Sequence, residues 1–284
     1  MNGKTSIIKL ILSMIIFGSI GVFVVYIPTS RAFVALIRGA LGALFLLVCS
    51  LVRGRLPDVR AIWRNLLWLF ISGGLIGVNW ILLFESYKYS SVAASTLIYY
   101  LSPVFVMILS AIFLRERLTF VRIVCALAAV GGMVLINGTE LGSLLALGAA
   151  VLYAIVVIIN KSLIKDVGAT DTTMIQLASA AICVLPYVLL TENPFAYELD
   201  LSQILLLVLV GILHTGVAYL LYFSAVREMR GLSIAIISYA DPIVAVVLSF
   251  IIEGSFSLPV LIGALIIISS AVISEIFGNK KSEA

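Results

Sequence analysis

Apolar residues fill ten long stretches of this chain, at 7–27, 32–52, 65–86, 92–114, 120–137, 143–160, 172–190, 203–224, 232–252 and 259–277. Each approaches the roughly 20 residues that cross a hydrocarbon core of about 30 Å. Turn-forming residues mark the breaks: Pro28-Thr29-Ser30, Gly54 with Pro57-Asp58, Ser90-Ser91, Asn137-Gly138, Gly168, Asn193-Pro194, Gly231 and Gly254. The pattern predicts an all-α membrane protein with ten transmembrane helices joined by short loops.

Composition agrees. Of 284 residues, 63% are hydrophobic and 11% charged, and the mean hydropathy is +1.24, whereas soluble domains carry about 25% charged residues. No room remains for a sizeable soluble domain. The formal net charge is +4, yet the basic residues form no continuous patch or aromatic-interleaved stripe, so a nucleic-acid partner is not expected. Cys49, Cys125 and Cys183 lie singly in apolar runs, without metal spacing or a disulfide framework. Lys4 and Lys9 precede the first apolar run as in a signal peptide, but that run is long and no small-residue cleavage pattern follows, which predicts an uncleaved first span.

Lys and Arg favour cytoplasmic loops. With the N-terminus inside, the inner segments collect Lys4, Lys9, Arg53, Arg55, Arg60, Arg64, Arg115, Arg117, Arg122, Lys161, Lys165, Arg227, Arg230, Lys280 and Lys281, against Arg31 and Lys88 outside. The outer loops also hold Glu140, Glu192, Glu198, Asp200 and Glu253. A multi-pass protein of the inner (plasma) membrane with both termini cytoplasmic is expected.

The chain repeats itself. Residues 96–114 read TLIYYLSPVFVMILSAIFL against AIISYADPIVAVVLSFIIE at 235–253, and the same register pairs Gly77, Trp80 and Phe84 with Gly216, Tyr219 and Phe223. Two five-helix halves are predicted, 1–138 and 139–284. Because five is odd, the second half enters the membrane from the opposite face, which makes the halves inverted repeats. Such duplication characterises secondary transporters, whose solute site lies near the midplane at the repeat interface.

The candidate chemistry centres on Tyr239-Ala240-Asp241-Pro242. Asp241 lies nine residues beyond Leu232, about 14 Å along a helix, which is midplane depth. An intramembrane carboxylate costs roughly 2.5–3.5 kcal/mol on insertion scales and is a functional candidate by default. It could exchange a proton in alternation with a solute, or be a neutral acid stapling two helices. Its repeat mate is Ser102, before Pro103, so the halves are alike in shape and unlike in charge. His214, the one histidine, falls at similar depth; proton transfer, ligand contact or a satisfied interior donor are open readings. No second histidine or cysteine-rich partner accompanies it, so neither a metal nor another cofactor is expected. Arg38, seven residues into the second span, needs Glu85, Asp241 or a solute carboxylate as partner, unless it snorkels to the outer interface. Glu85 could equally cap the outer rim, and Glu275 is expected to reach headgroups or a nearby lysine. Trp80, Tyr99, Tyr100, Tyr219, Tyr222 and Tyr239 could line a cavity and, with a carboxylate, suit an ammonium group; they are also ordinary packing residues. Gly73 and Gly77 suggest close helix packing.

These residues resemble the drug/metabolite transporter superfamily, specifically its ten-helix EamA-type carriers. The resemblance covers nearly the whole chain and rests on Phe17-Gly18, Ala35-Leu36-Ile37-Arg38, Ser102-Pro103-Val104, the run from Leu114 to Thr119, His214-Thr215-Gly216-Val217-Ala218-Tyr219 and Ser238-Tyr239-Ala240-Asp241-Pro242. It implies an inner-membrane carrier with cytoplasmic termini and a central cavity, commonly exporting small metabolites or amino acids. It also implies that the family's arginine position is Arg38 and its acidic position Asp241. Arg115-Glu116 and Glu253-Gly254 depart from a shared Gly-Glu turn and are shifted by about a residue, which weakens their equivalence.

The expected function is a secondary transporter, not an enzyme, moving a small polar organic solute such as an amino acid or amine by alternating access. Protons are a candidate coupling ion, the lipid bilayer is the other partner, and the oligomeric state is open. An integral-membrane enzyme using Asp241 and His214, or a ligand-binding receptor, are the alternatives. Against an enzyme, the spans show no paired nucleophile and base, metal set or phosphate-cradling loop.

Overall fold

The computed structural model describes residues 3–116, 118–137, 141–229, 231–253 and 257–278. Gly138, Glu140, Arg117, Arg230, Gly254, Lys280 and Lys281, all invoked above, lie outside them.

Among the described residues the chain forms α1 (Gly3–Val25), α2 (Arg31–Val52), α3 (Val59–Ser86), α4 (Val92–Tyr99), α5 (Ser102–Phe113), α6 (Phe120–Asn137), α7 (Leu141–Ser162), α8 (Ala169–Thr191), α9 (Leu201–Gly211), α10 (Ala218–Val226), α11 (Gly231–Ser238), α12 (Ala240–Glu253) and α13 (Leu258–Gly278). Eight helical stretches are long and apolar enough to cross a membrane, and Phe120–Ile136 and Ile236–Ile252 are shorter apolar helices. Together they make ten spans in two inverted five-helix repeats.

Side-chain caps fix where several spans begin. Ser30 accepts from the Phe33 amide (2.9 Å) at the start of α2, and Asp58 from the Ala61 amide (2.9 Å) at the start of α3. The Asp58 cap extends α3 six residues before the expected start at 65. Asp200 and Gln203 form a reciprocal capping box at α9.

Two spans expected to be continuous are broken at matching positions. The fourth is split between α4 and α5 at Tyr100-Leu101, and the ninth between α11 and α12 at Tyr239. In each, a proline enters the first turn of the second segment, where its missing amide leaves no lost hydrogen bond. The break therefore follows the sequence repeat. The eighth span differs: α9 and α10 are joined through a π-helical turn, Ile212–Val217, whereas its counterpart α3 runs unbroken from Val59 to Ser86.

The halves interlock. Helix α3 packs against α7 and α8, α2 against α8, α1 against α10 and α12, and α6 against α13. Small residues permit the tightest of these approaches. A Cβ on Gly73 would meet the Gln176 backbone oxygen and the Ser179 side chain, and one on Gly77 would come within 2.8 Å of Val184. The close packing expected of this glycine pair is the α3–α8 seam. Gln176 Nε2 clasps it by donating to Ser72 Oγ and also reaches Asn160 Oδ1 of α7, each at 2.7 Å, while Asn79 of α3 donates to the Ala149 carbonyl of α7.

A bulky side chain in that seam forces α3 and α8 apart. Gly73→Leu is expected to destabilise the detergent-solubilised protein by about 1–3 kcal/mol or more. Gly131→Ala, where an added Cβ meets nothing within 4 Å, leaves the thermal unfolding midpoint unchanged or raised.

Candidate functional site

Helix α2 brings Arg38 into the interior, where it is 5% exposed. Its guanidinium carbon lies 4.0 Å from the Trp80 ring centroid and 5.5 Å from that of Phe84, and its Nε donates to Thr215 Oγ1 at 2.9 Å. The π turn makes that acceptor available. Thr215 donates its proton to the Val210 carbonyl, five residues back, at 2.9 Å, which leaves a lone pair for Arg38. A desolvated cation–π contact is worth about 2 kcal/mol or more and a charged hydrogen bond about 1.5–3. These offset the roughly 2.5–3.5 kcal/mol of inserting an arginine at membrane depth. The cation is held without a counter-ion: its two terminal nitrogens hydrogen-bond no described residue and are not among the sealed, unpartnered atoms.

Asp241 occupies the first turn of α12 and is half-buried. An anion is favoured at a helix N-terminus, where backbone amides and the helix dipole present positive charge. The Tyr100 hydroxyl, from the break in the fourth span, lies near its carboxylate. Gly18 of α1 lies against the Asp241 backbone carbonyl, so a side chain there would displace the break. Arg38 and Asp241 influence each other electrostatically without approaching within the 4.0 Å of an ion pair.

Aromatic rings furnish the remaining walls. Tyr99 packs edge-on against Tyr100 (6.1 Å between centroids) and Tyr153 (5.8 Å), and Phe17 against Tyr219 (5.0 Å). Tyr153 is 42% exposed although it lies mid-helix in α7 and faces Tyr99. It therefore borders an internal cavity. That cavity, about 300 Å³, starts at Tyr100, Ser102, Tyr153 and Tyr239 and leads toward the bundle end carrying Glu116, Lys161 and Glu275, where Glu116 and Lys161 form an ion pair. Hydrogen bonds tie described residues together at the opposite end. Ser249 of α12 accepts from the Ala93 amide of α4 at 3.2 Å, and Glu192 ties Ser30 (2.6 Å) to Tyr197 (2.8 Å).

Tyr100, Ser102 and Tyr239 line this cavity. Tyr99 packs on Tyr100, Arg38 stacks on Trp80, and Asp241 and Tyr219 lie within electrostatic range of Arg38, next to the lining residues and not among them. Three candidates lie elsewhere. His214 is 1% exposed, its Nε2 3.1 Å from Ser19 Oγ and its ring 4.9 Å from Phe23. It faces α1, as a satisfied interior group does. Glu85 pairs with Lys88 at 2.6 Å on the rim, because the i,i+3 spacing brings that lysine nearer than Arg38. Tyr222 packs with Leu10 and Met14. Glu275 lines the cavity approach instead of reaching only for headgroups. Thr215, Phe84 and Tyr153 were not singled out as site residues; Thr215 and Phe84 stand inside quoted motifs, and Tyr153 has no repeat mate to signal it.

Residues 4–138 and again 140–275 match the EamA-like transporter family. The chain belongs to that family. An uncharacterized transporter of Bacillus subtilis (strain 168), YxxF, is 32% identical over 263 residues, covering 88% of this chain and 83% of its own. Protein PecM of Dickeya dadantii is 25% identical over 269 residues, covering 90% and 88%. The uncharacterized inner membrane transporter YhbE of Escherichia coli (strain K12) is 26% identical over 250 residues, covering 79% and 76%. A protein of known crystal structure shares the fold with a TM-score of 0.68 over 98% of both chains at 20% identity. The EamA protein described here is a multi-pass membrane protein of a transporter family.

Removing the Thr215 acceptor separates this site from the rim. Thr215→Val is expected to lower stability in detergent by about 1–3 kcal/mol, since it orphans a charged donor, while Thr215→Ser retains most of it. Glu85→Gln changes stability by less than about 1 kcal/mol, as for an exposed pair.

Proposed function

We propose that this EamA protein is a secondary transporter for a small solute carrying both a carboxylate and an ammonium group, the amino-acid class, and that it works by alternating access. The observation that carries the reading is the separation of Arg38 from Asp241. A buried cation and a half-buried acid within electrostatic range, each with unused hydrogen-bonding capacity, favour a ligand that bridges them. The solute carboxylate takes the two free guanidinium nitrogens, and the ammonium takes Asp241 beside the π faces of Tyr99 and Tyr219. A cavity lined toward the Glu116–Lys161 end, with cross-half hydrogen bonds at the other, supports a site reached from one side at a time. Protons exchange at Asp241 when the solute leaves. The basic residues of the inner segments support cytoplasmic termini, which turn the open end toward the cytoplasm.

The enzyme alternative has one foothold, the Ser19–His214 pair. Ser19 Oγ, however, is shared between the Ile16 carbonyl (2.9 Å) and the imidazole (3.1 Å), and no described carboxylate contacts the other ring nitrogen, which faces the Leu209 carbonyl at 3.4 Å. With His214 enclosed, that arrangement suits packing better than nucleophile activation.

Flux of radiolabelled amino acids in proteoliposomes tests the proposal. Asp241→Asn is expected to reduce accumulation driven by a pH gradient at least about tenfold, and Arg38→Gln to abolish competition by carboxylate-bearing solutes. Unaltered gradient-driven flux in Asp241→Asn removes that residue from the mechanism; product formation or stoichiometric binding without accumulation supports an enzyme or a receptor instead.

A further inference from the structure

We propose that Ser249 and Ser110 are alternating latches, each closing one end of the transport pathway by capping the broken helix of the opposite half. The proposal rests on the alternating-access reading above and adds the residues that set its balance.

The first latch is engaged in this structure. The opening amides of a helix lack intrahelical acceptors. At the start of α4, Ser91 Oγ accepts from the Ala94 amide at 3.1 Å, and the Ala93 amide is left for an outside partner. That partner is Ser249 Oγ at 3.2 Å, from the other half. Both residues are sealed, Ala93 at 0% and Ser249 at 1% exposure. This contact joins α4 to α12 at the end away from the Glu116–Lys161 cavity mouth.

The repeat register supplies the second latch. The alignment that pairs Tyr100 with Tyr239 also pairs Ser110 with Ser249 and Ala93 with Leu232, the second residue of α11 as Ala93 is of α4. Ser110 is 4% exposed, yet its hydroxyl hydrogen-bonds no described residue and the residue lines the open cavity. A buried hydroxyl facing the open path is an acceptor in waiting. Inverted halves exchange conformations when the pathway switches sides. In the exchanged state Ser110 Oγ accepts from the Leu232 amide and closes the Glu116–Lys161 end, while the Ser249–Ala93 bond opens.

Each serine thus stabilises one state only, so their removal has opposite effects. Two repeat-related reporters read the balance: Met107→Cys, which lines the open cavity, and Val246→Cys, its repeat mate, now 6% exposed. Both are placed singly in a chain whose Cys49, Cys125 and Cys183 are replaced by serine. A membrane-impermeant maleimide is applied to right-side-out and inside-out vesicles. The parent reporters are expected to react from opposite sides. Ser249→Ala should raise labelling at Val246→Cys and lower it at Met107→Cys by about three- to tenfold, the equilibrium shift of one hydrogen bond. Ser110→Ala should do the reverse. The double variant should return near the parental ratio, which a general loss of folding does not do. If the parent reporters react from opposite sides but the serine variants shift labelling in one direction or not at all, the latches are overturned and the carrier reading stands. If both parent reporters react from the same side only, the two fall together.

Discussion

A buried guanidinium and a half-buried acidic side chain held apart inside the helical bundle are the constraint on which the structure depends. Arg38 has a hydroxyl and two aromatic faces as its company, and Asp241 has a tyrosine hydroxyl and the start of a helix. Direct pairing would discharge both groups and leave nothing for a ligand to bind. Keeping them separate demands a scaffold that does not collapse, since opposite charges at an effective dielectric near 20 attract by about 4 kcal/mol at 4 Å. The interlocked seams supply that resistance. Gly73 and Gly77 bring α3 against α8, and Ser72, Gln176 and Asn160 clasp that region, so Trp80 and Phe84 are fixed under the guanidinium.

A symmetric scaffold thereby carries an asymmetric site. Both halves break a helix in the same register, at Tyr100 and Tyr239, but the residue before the following proline is Ser102 in one and the acidic Asp241 in the other. The π turn is likewise confined to the second half among the described residues, and it delivers Thr215 to Arg38. Extra residues in a helical turn of this kind commonly accompany functional sites. In the proposed carrier, symmetry provides two ends that open in turn and asymmetry one place to bind.

Much of this was legible in the sequence, for particular reasons. Ten apolar runs announce ten spans because lipid leaves backbone amides no partner outside a helix. The matched Tyr-x-x-Pro spacing exposed the repeat. Asp241 and Arg38 stood out because charge at midplane depth is expensive. What the sequence concealed depends on three-dimensional neighbours. Nothing local distinguishes Ile212–Val217 from an ordinary helical turn, and nothing marks Tyr153 as cavity-facing until Tyr99 is seen against it. His214 drew attention by being the one histidine, yet its partners Ser19 and Phe23 come from the first span, with Ser19 195 residues away. Glu85 was offered to Arg38 on depth alone, and the nearer Lys88 takes it.

The central claim is that Arg38 and Asp241 hold the two ends of one solute. Equilibrium binding of three matched ligands tests it most directly: an amino acid, its decarboxylated amine and its deaminated acid, each measured against the parent protein, Arg38→Gln and Asp241→Asn. The expected pattern is crossed, with Arg38→Gln weakening the amino acid and the acid but not the amine, and Asp241→Asn weakening the amino acid and the amine but not the acid. Equal losses for all three ligands in both variants would contradict it, because they would mean that the charges maintain the fold and do not recognise the solute.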